Sequence, residues 1–549
     1  MSDVSTGLSL YWLSCVAADL QAAGKWRSDH WDPDTRANRQ RELIPEARGL
    51  NHLATLLSTG STTFDQKETE RRVSVSMDAM QNYLAISVFS STAADGKRRS
   101  FLVPAVTPEE DKEFLQNLLR TPEGSINLKD LSFNDFHDFT HKAMRLLNAA
   151  AAHIRQNPPS KEDVISPVSQ FFVHACQEKL TSRVRQFCRQ YQIDETLTNW
   201  TPSETYVTPG RIIIKDKFLS KFFVGLGIKQ DEKNPDVLLF DVSSAAIWWK
   251  AICSCLGTLV HNALPDSGPI EPHSVAAGCE LLHRFVRLVP ALWRIPSLDV
   301  HLEACRKAAE KRHADEQMSE ERLTDDVLST GELLLNYTIP LKIEIDTSFP
   351  RPMYAEIQRF YCALDSICAW TSAVRYLLSS RVVRTPFAMH ISVVDLPTTT
   401  IPPILADALI ERWVGKGANW RPSIASRLER YLKKRDTTKE STCVQYHSEA
   451  GLMASYLYNA TNSKDAAAKE PECISGAFEV EGPPTSLPIG VPTLCCPLCT
   501  MFRNSIGFVS NLKVHHPGNH DRFVPWVPPE WVPEEVLRNM ESRLLALVW

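Results

Sequence analysis

The segment Pro488 to Cys499, PIGVPTLCCPLC, holds three of the chain's fourteen cysteines within five residues. PIGV reads as a strand and Cys496 opens a candidate helix, so Cys496 and Cys499 form a C-x-x-C at a helix start. That geometry brings two sulfurs to one side, where a tetrahedral zinc can bridge them. Two thiolates are an incomplete site, and the reading turns on what completes it.

Three completions fit the residue types. A redox dithiol needs its motif between a strand and a helix, which PIGV and the cluster supply. A zinc finger would draw on His515 or His516 and then His520, but the gap from Cys499 exceeds the usual twelve or so residues. Pro517-Gly518 would also break the helix that must carry both histidines. The third completion lies upstream in YHSEAGLMASYL, where His447 and Glu449 form H-x-E. H-x-E followed by C-x-x-C is the pattern of zinc deaminases, in which one His and two Cys hold the metal and a fourth position takes water. Zinc lowers the pKa of such a water to about 7, and a nearby carboxylate that is not a ligand moves its proton.

Context favours the third. His447 ends the β-like run CVQY and begins a helix whose Leu452, Met453, Tyr456 and Leu457 can turn inward. Each half is therefore a strand followed by a helix start, and neighbouring strand ends can converge on one ion.

With HSE at 447–449 and PIGVPTLCCPLC at 488–499, the last 150 or so residues resemble the cytidine-deaminase-like superfamily, and particularly its OTT-type deaminase-like family, expanded in fungi. The resemblance implies a central sheet flanked by helices, Zn2+ held by His447, Cys496 and Cys499, Glu449 as proton shuttle, and a nucleotide or nucleic-acid substrate. Two features depart from the general pattern. Cys495 stands where a proline precedes the first cysteine, as a competing ligand or a buried thiol beside the site. The interval from Glu449 to Cys496 is long, and SKDAAAKEPECISGAFEVEGPP within it reads as a loop insertion that either lids or decorates the site.

Outward from the site, PFAMHISVVD at 386–395 reads as a strand, ILADALIERW and PSIASRLERYLKK as helices, GFVSNLKVHH as a strand, and WVPEEVLRNMESRLLALV as a final helix. Strands alternating with helices predict an α/β domain over residues 385–549. Most of the preceding chain carries helical periodicity, as in Cys176, Leu180, Val184, Phe187 and Tyr191, which fall on one stripe. The expected organisation is multi-domain, with a helical N-terminal region at 1–156 and a helical region at 157–384. The Asn157-Pro158-Pro159-Ser160 break separates these two, and a charged connector runs near 310–327.

The 549 residues, 43% apolar and 23% charged, suit a folded protein of two to four domains. The net charge of −5 leaves any nucleic-acid contact to a local patch. GLSLYWLSCVAADL near the N-terminus lacks the basic flank of a signal peptide and reads as a buried helix. No apolar span of roughly eighteen residues predicts a membrane crossing. Reduced thiols and an intracellular location, cytoplasmic or nuclear, are expected.

Residues 411–436 carry eight Lys or Arg against three acids, with Trp413, Trp420 and Tyr431 interleaved. Arg427, Arg430, Lys433 and Lys434 could follow phosphates while Trp420 stacks on an unpaired base of a single strand. The plainer account is an amphipathic helix burying Ile424, Leu428, Tyr431 and Leu432. His515, His516 and His520 read more readily as loop or surface groups than as substrate contacts. The function expected is hydrolytic deamination of a nucleobase, cytosine before adenine. The alternative is a non-catalytic interaction protein whose zinc only stabilises the fold, and the protein partners of the helical body are not specified by sequence.

Overall fold

The computed structural model describes residues 4–22, 45–58, 72–79, 83–91, 98–120, 133–191, 195–203, 210–213, 223–265, 270–286, 295–316, 355–380, 388–416, 442–462, 486–492, 495–516 and 523–548, with isolated positions 193, 221, 292, 426, 429, 430 and 432. The chain is mostly helical around a mixed six-stranded sheet. Among the described residues no helix is long and apolar enough to cross a membrane.

Eleven strands are described: β1 Arg72–Ala79, β2 Tyr83–Ser91, β3 Arg98–Val103, β4 Gly210–Ile213, β5 Gln230–Asp231, β6 Asn234–Phe240, β7 Ala388–Leu396, β8 Thr398–Ile401, β9 Thr442–Gln445, β10 Ser486–Gly490 and β11 Lys513–His515. The large sheet runs β11-β10-β1-β2-β7-β3. β10 is parallel to β11 and antiparallel to β1, β1 is antiparallel to β2, β2 is parallel to β7, and β3 closes the far edge antiparallel to β7. Strands β4 to β6 form a separate small sheet, and β8 pairs with β9.

The large sheet draws its strands from both sides of residue 385. Residues 1–156 are not simply helical, because RVSVSMDA and YLAISVFSS alternate in the two-residue period of a strand. Nor does the sheet respect a division at 385, since β10 lies between β11 and β1, and β7 between β2 and β3. The Pro158–Ser160 stretch is one 3-10 turn, and Ile154 and Val164 on its two sides enter the same core. Two prolines end one helix there, and apolar burial is continuous across the turn. Residues 210–240 contribute the small sheet to the otherwise helical middle region.

The helices that bear on the site are α1 Thr6–Ala22, α2 Pro45–Leu57, α3 Ala369–Ser379, α4 Ala406–Lys416, α5 Ser448–Asn462, α6 Pro497–Ser510 and α7 Glu534–Val548. Successive strand residues point to opposite faces. Val88 and Val393 join a core with Leu50, Leu53 and Leu57 of α2 and with the helices of the middle region, whereas their neighbours Phe89 and Val394 join Leu396, Leu487, Ile489 and the inner sides of α1, α5, α6 and α7. The sheet is thus a partition, with α2 and α3 on one side and the ligand-bearing helices on the other.

The expected buried N-terminal helix is α1, with Leu10, Leu13, Cys15 and Val16 all buried. It packs along α7 at the opposite end of the chain. The Arg412 guanidinium of α4 grips the Glu541 carboxylate of α7 with Nε at 2.7 Å and Nη2 at 3.1 Å, and donates to Thr6 Oγ1 at 2.7 Å. Trp413 is buried and donates from its indole to Ser9 Oγ at 2.7 Å, so this ring belongs to the core rather than to a stacking surface.

The segment GFVSNLKVHH divides differently from its reading as one strand. Helix α6 continues to Ser510, Asn511 takes the left-handed conformation at φ 59°, and only Lys513–His515 pair with β10. Asparagine tolerates that conformation, which closes the helix and turns the chain back alongside β10. The charged run near 310–327 is helix as far as Glu316; its remainder lies outside the described residues, as does the insertion at 463–484.

Candidate metal centre

Strand β9 delivers Tyr446 and His447 to the start of α5, and β10 delivers the segment that ends at Cys496 to the start of α6. His447 accepts the Gly451 amide with its carbonyl at 2.9 Å, so the residue is fixed at the mouth of its helix. Cys496 caps α6: its backbone is extended, its sulfur accepts from the Cys499 amide at 3.4 Å, and Pro497 follows in the first turn. Pro497 fits there because an amide at that position has no partner within the helix. Leu452, Met453, Tyr456 and Leu457 anchor α5 in the core, as the spacing of the sequence predicts.

His447 Nδ1 lies 3.5 Å from Cys496 Sγ and 3.5 Å from Cys499 Sγ. All three side chains are buried, and their ligand atoms lie within 4.8 Å of one another. Zinc–sulfur bonds of about 2.3 Å and a zinc–nitrogen bond of about 2.0 Å at tetrahedral angles set nitrogen and sulfur ligands roughly 3.5 Å apart. Both nitrogen-to-sulfur distances therefore match those that a tetrahedral zinc ion would set. Two helix N-termini also meet here, and their partial positive charge favours thiolates.

Burial pushes the Cys499 thiol well up, helped by its hydrogen bond with Cys496 and the negative charges of Cys496, Glu449 and Cys495. Burial likewise raises Cys495, with Glu449 and Cys496 adding to the effect and Arg503 opposing it. Burial thus favours the neutral form of Cys495 and Cys499, and a bound metal ion would supply the charge that holds ligand thiols deprotonated.

Glu449 is 6% exposed and lies outside the three-residue group. Ser448, which the spacing argument passes over, donates to Glu449 Oε2 at 3.4 Å, and only its adjacency in sequence could have indicated it. Cys495 is also outside the group, although fully buried beside it. His515 is in β11 and His516 is buried just after it, and neither belongs to the ligand group; His520 is outside the described residues. Of the nucleic-acid candidates, Arg430 is exposed, while Trp420, Arg427, Tyr431, Lys433 and Lys434 lie outside the described residues. Leu432 is buried, as an amphipathic helix there requires.

Comparison of the chain with protein-family models, with curated proteins and with solved structures finds no match.

Proposed function

We propose that His447, Cys496 and Cys499 hold a zinc ion and that the protein hydrolytically deaminates an amino-substituted nucleobase, cytosine before adenine, in a nucleotide or single-stranded nucleic acid. The carrying observation is the placement of His447 Nδ1 at 3.5 Å from each sulfur, at the starts of two helices on one face of the sheet. Bound zinc supplies a Lewis-acidic position that lowers the pKa of water into the neutral range.

The chain's own part is binding and proton transfer. Among the described residues the group has three protein ligands, with Glu449 and Cys495 outside it, and such a set suits the open coordination of catalytic rather than structural zinc. Ser448 orients Glu449 through Oε2, and the carboxylate takes a proton from the attacking water and passes it toward the ring nitrogen and the leaving amine. Overall the carbon exchanges its amino group for oxygen, one water is consumed and one ammonia is released.

The burial of all three ligands favours one second reading, a closed structural zinc in a protein that only binds others. Glu449→Gln separates the two. It keeps zinc and fold in both, but under the catalytic reading it lowers turnover by about 10²-fold or more. Ammonia release is measured for wild type and variant on cytosine and adenine presented as bases, nucleosides, nucleotides and single-stranded DNA and RNA. Equal background from both proteins across that panel rejects catalysis.

A further inference from the structure

We infer that Asn51, on α2, is a positioning residue for the metal-binding loop; this rests on the reading that His447, Cys496 and Cys499 hold a metal. β10 pairs with β1 up to Gly490 and with β11 only up to Pro488. Val491 is the next residue, where the chain leaves the sheet toward Cys496, and its amide lies beyond the end of both ladders. A buried amide without an acceptor is costly. Asn51 Oδ1 accepts it at 2.9 Å, in place of a strand that has ended.

The contact is built at close quarters. A Cβ added at Gly490 would meet the Leu50 carbonyl carbon at 2.1 Å and its oxygen at 2.3 Å, so the backbone of α2 lies directly on β10 at the residue before Val491. Only glycine allows that approach, and it brings Asn51 to the strand end. Asn51 is fully buried, yet its Nδ2 has no hydrogen-bond partner among the described residues. A half-satisfied amide is a poor choice for stability alone. Its use is the acceptor oxygen, which fixes the direction in which the chain leaves the sheet at Val491. Groups that orient a ligand-bearing segment affect metal affinity even though they never touch the ion.

The test measures zinc affinity by chelator competition, the visible spectrum of the cobalt-substituted protein, and melting temperature, all on the full chain. Asn51→Ala should lose about 10- to 100-fold in zinc affinity and shift the cobalt bands. Asn51→Asp, which keeps an acceptor oxygen, should restore most of that affinity. Leu57→Ala, a cavity in the same helix, is the stability control and should lower the melting temperature while leaving affinity and spectrum at wild-type values. The inference is overturned if Asn51→Ala keeps wild-type affinity and bands, or if Leu57→Ala changes them as much. A wild-type chain that takes up no metal would instead overturn the metal reading, and this inference with it.

Discussion

His447 Nδ1 and Cys499 Sγ lie 3.5 Å apart although 52 residues separate them in the chain. Cys496 Sγ is at the same distance from the imidazole, so one ring nitrogen faces both sulfurs of the C-x-x-C.

One zinc per chain is therefore expected by elemental analysis, lost in Cys496→Ser, Cys499→Ser and His447→Ala but kept in Cys495→Ser. Because burial holds the Cys499 thiol protonated, zinc must displace a proton, and affinity should fall as pH falls. Calorimetry in buffers of different ionisation enthalpy reads the released protons. Zinc retained without Cys499, or lost with Cys495, would reassign the ligands; loss on substituting His515, His516 or His520 would revive the finger.

Stability should also depend on pH through His52. Burial, with the nearby Arg48 charge, lowers its pKa from 6.5 to about 3. Between those values the unfolded chain holds a proton that the folded chain does not. Stability is therefore fully present above pH 6.5 and declines by about 1.4 kcal/mol per pH unit toward pH 3. His52→Phe, which keeps a ring against Tyr376, should flatten that slope in denaturant titrations across the window. An unchanged slope would mean that other groups carry the acid sensitivity.

The Arg412–Glu541 pair ties together three distant parts of the chain. Glu541 is fully buried and Arg412 is held by both carboxylate oxygens, by Thr6 and by the Val4 carbonyl. Arg412→Ala strands the carboxylate and should cost about 3–5 kcal/mol, whereas Arg412→Ala with Glu541→Leu should recover a large part of it. Equal losses in the single and double variants would show that packing, not the stranded charge, sets the cost.

Residues 385–549 expressed alone should neither melt cooperatively nor bind zinc, because that fragment lacks β1 beside β10, β2 beside β7 and α1 against α7. Adding residues 1–384 in trans should restore both properties if the two pieces associate. A folded, zinc-binding fragment would refute this dependence.

What the sequence could reveal was local. A strand followed by a helix start is written in contiguous residues, and so are CVQY before His447, PIGV before the cysteines, and the inward stripe of α5. These patterns singled out the three side chains that the fold gathers. The misreading of GFVSNLKVHH has an equally local cause, since the helix stops on one asparagine whose left-handed backbone no apolar period announces.

The sequence by itself determined which residues could bind metal, which face of each helix is apolar, and that the net charge offers no general attraction for nucleic acid. Alternation in RVSVSMDA specifies a strand but not its partner, because one face of alternating side chains suits any sheet of matching polarity. Only the tertiary structure decided that β1 lies beside β10, that α1 packs on α7, and that Asn51 caps the end of a strand 440 residues away. Those choices come from burying both faces of one sheet and satisfying amides where strands run out, and both depend on the whole chain at once.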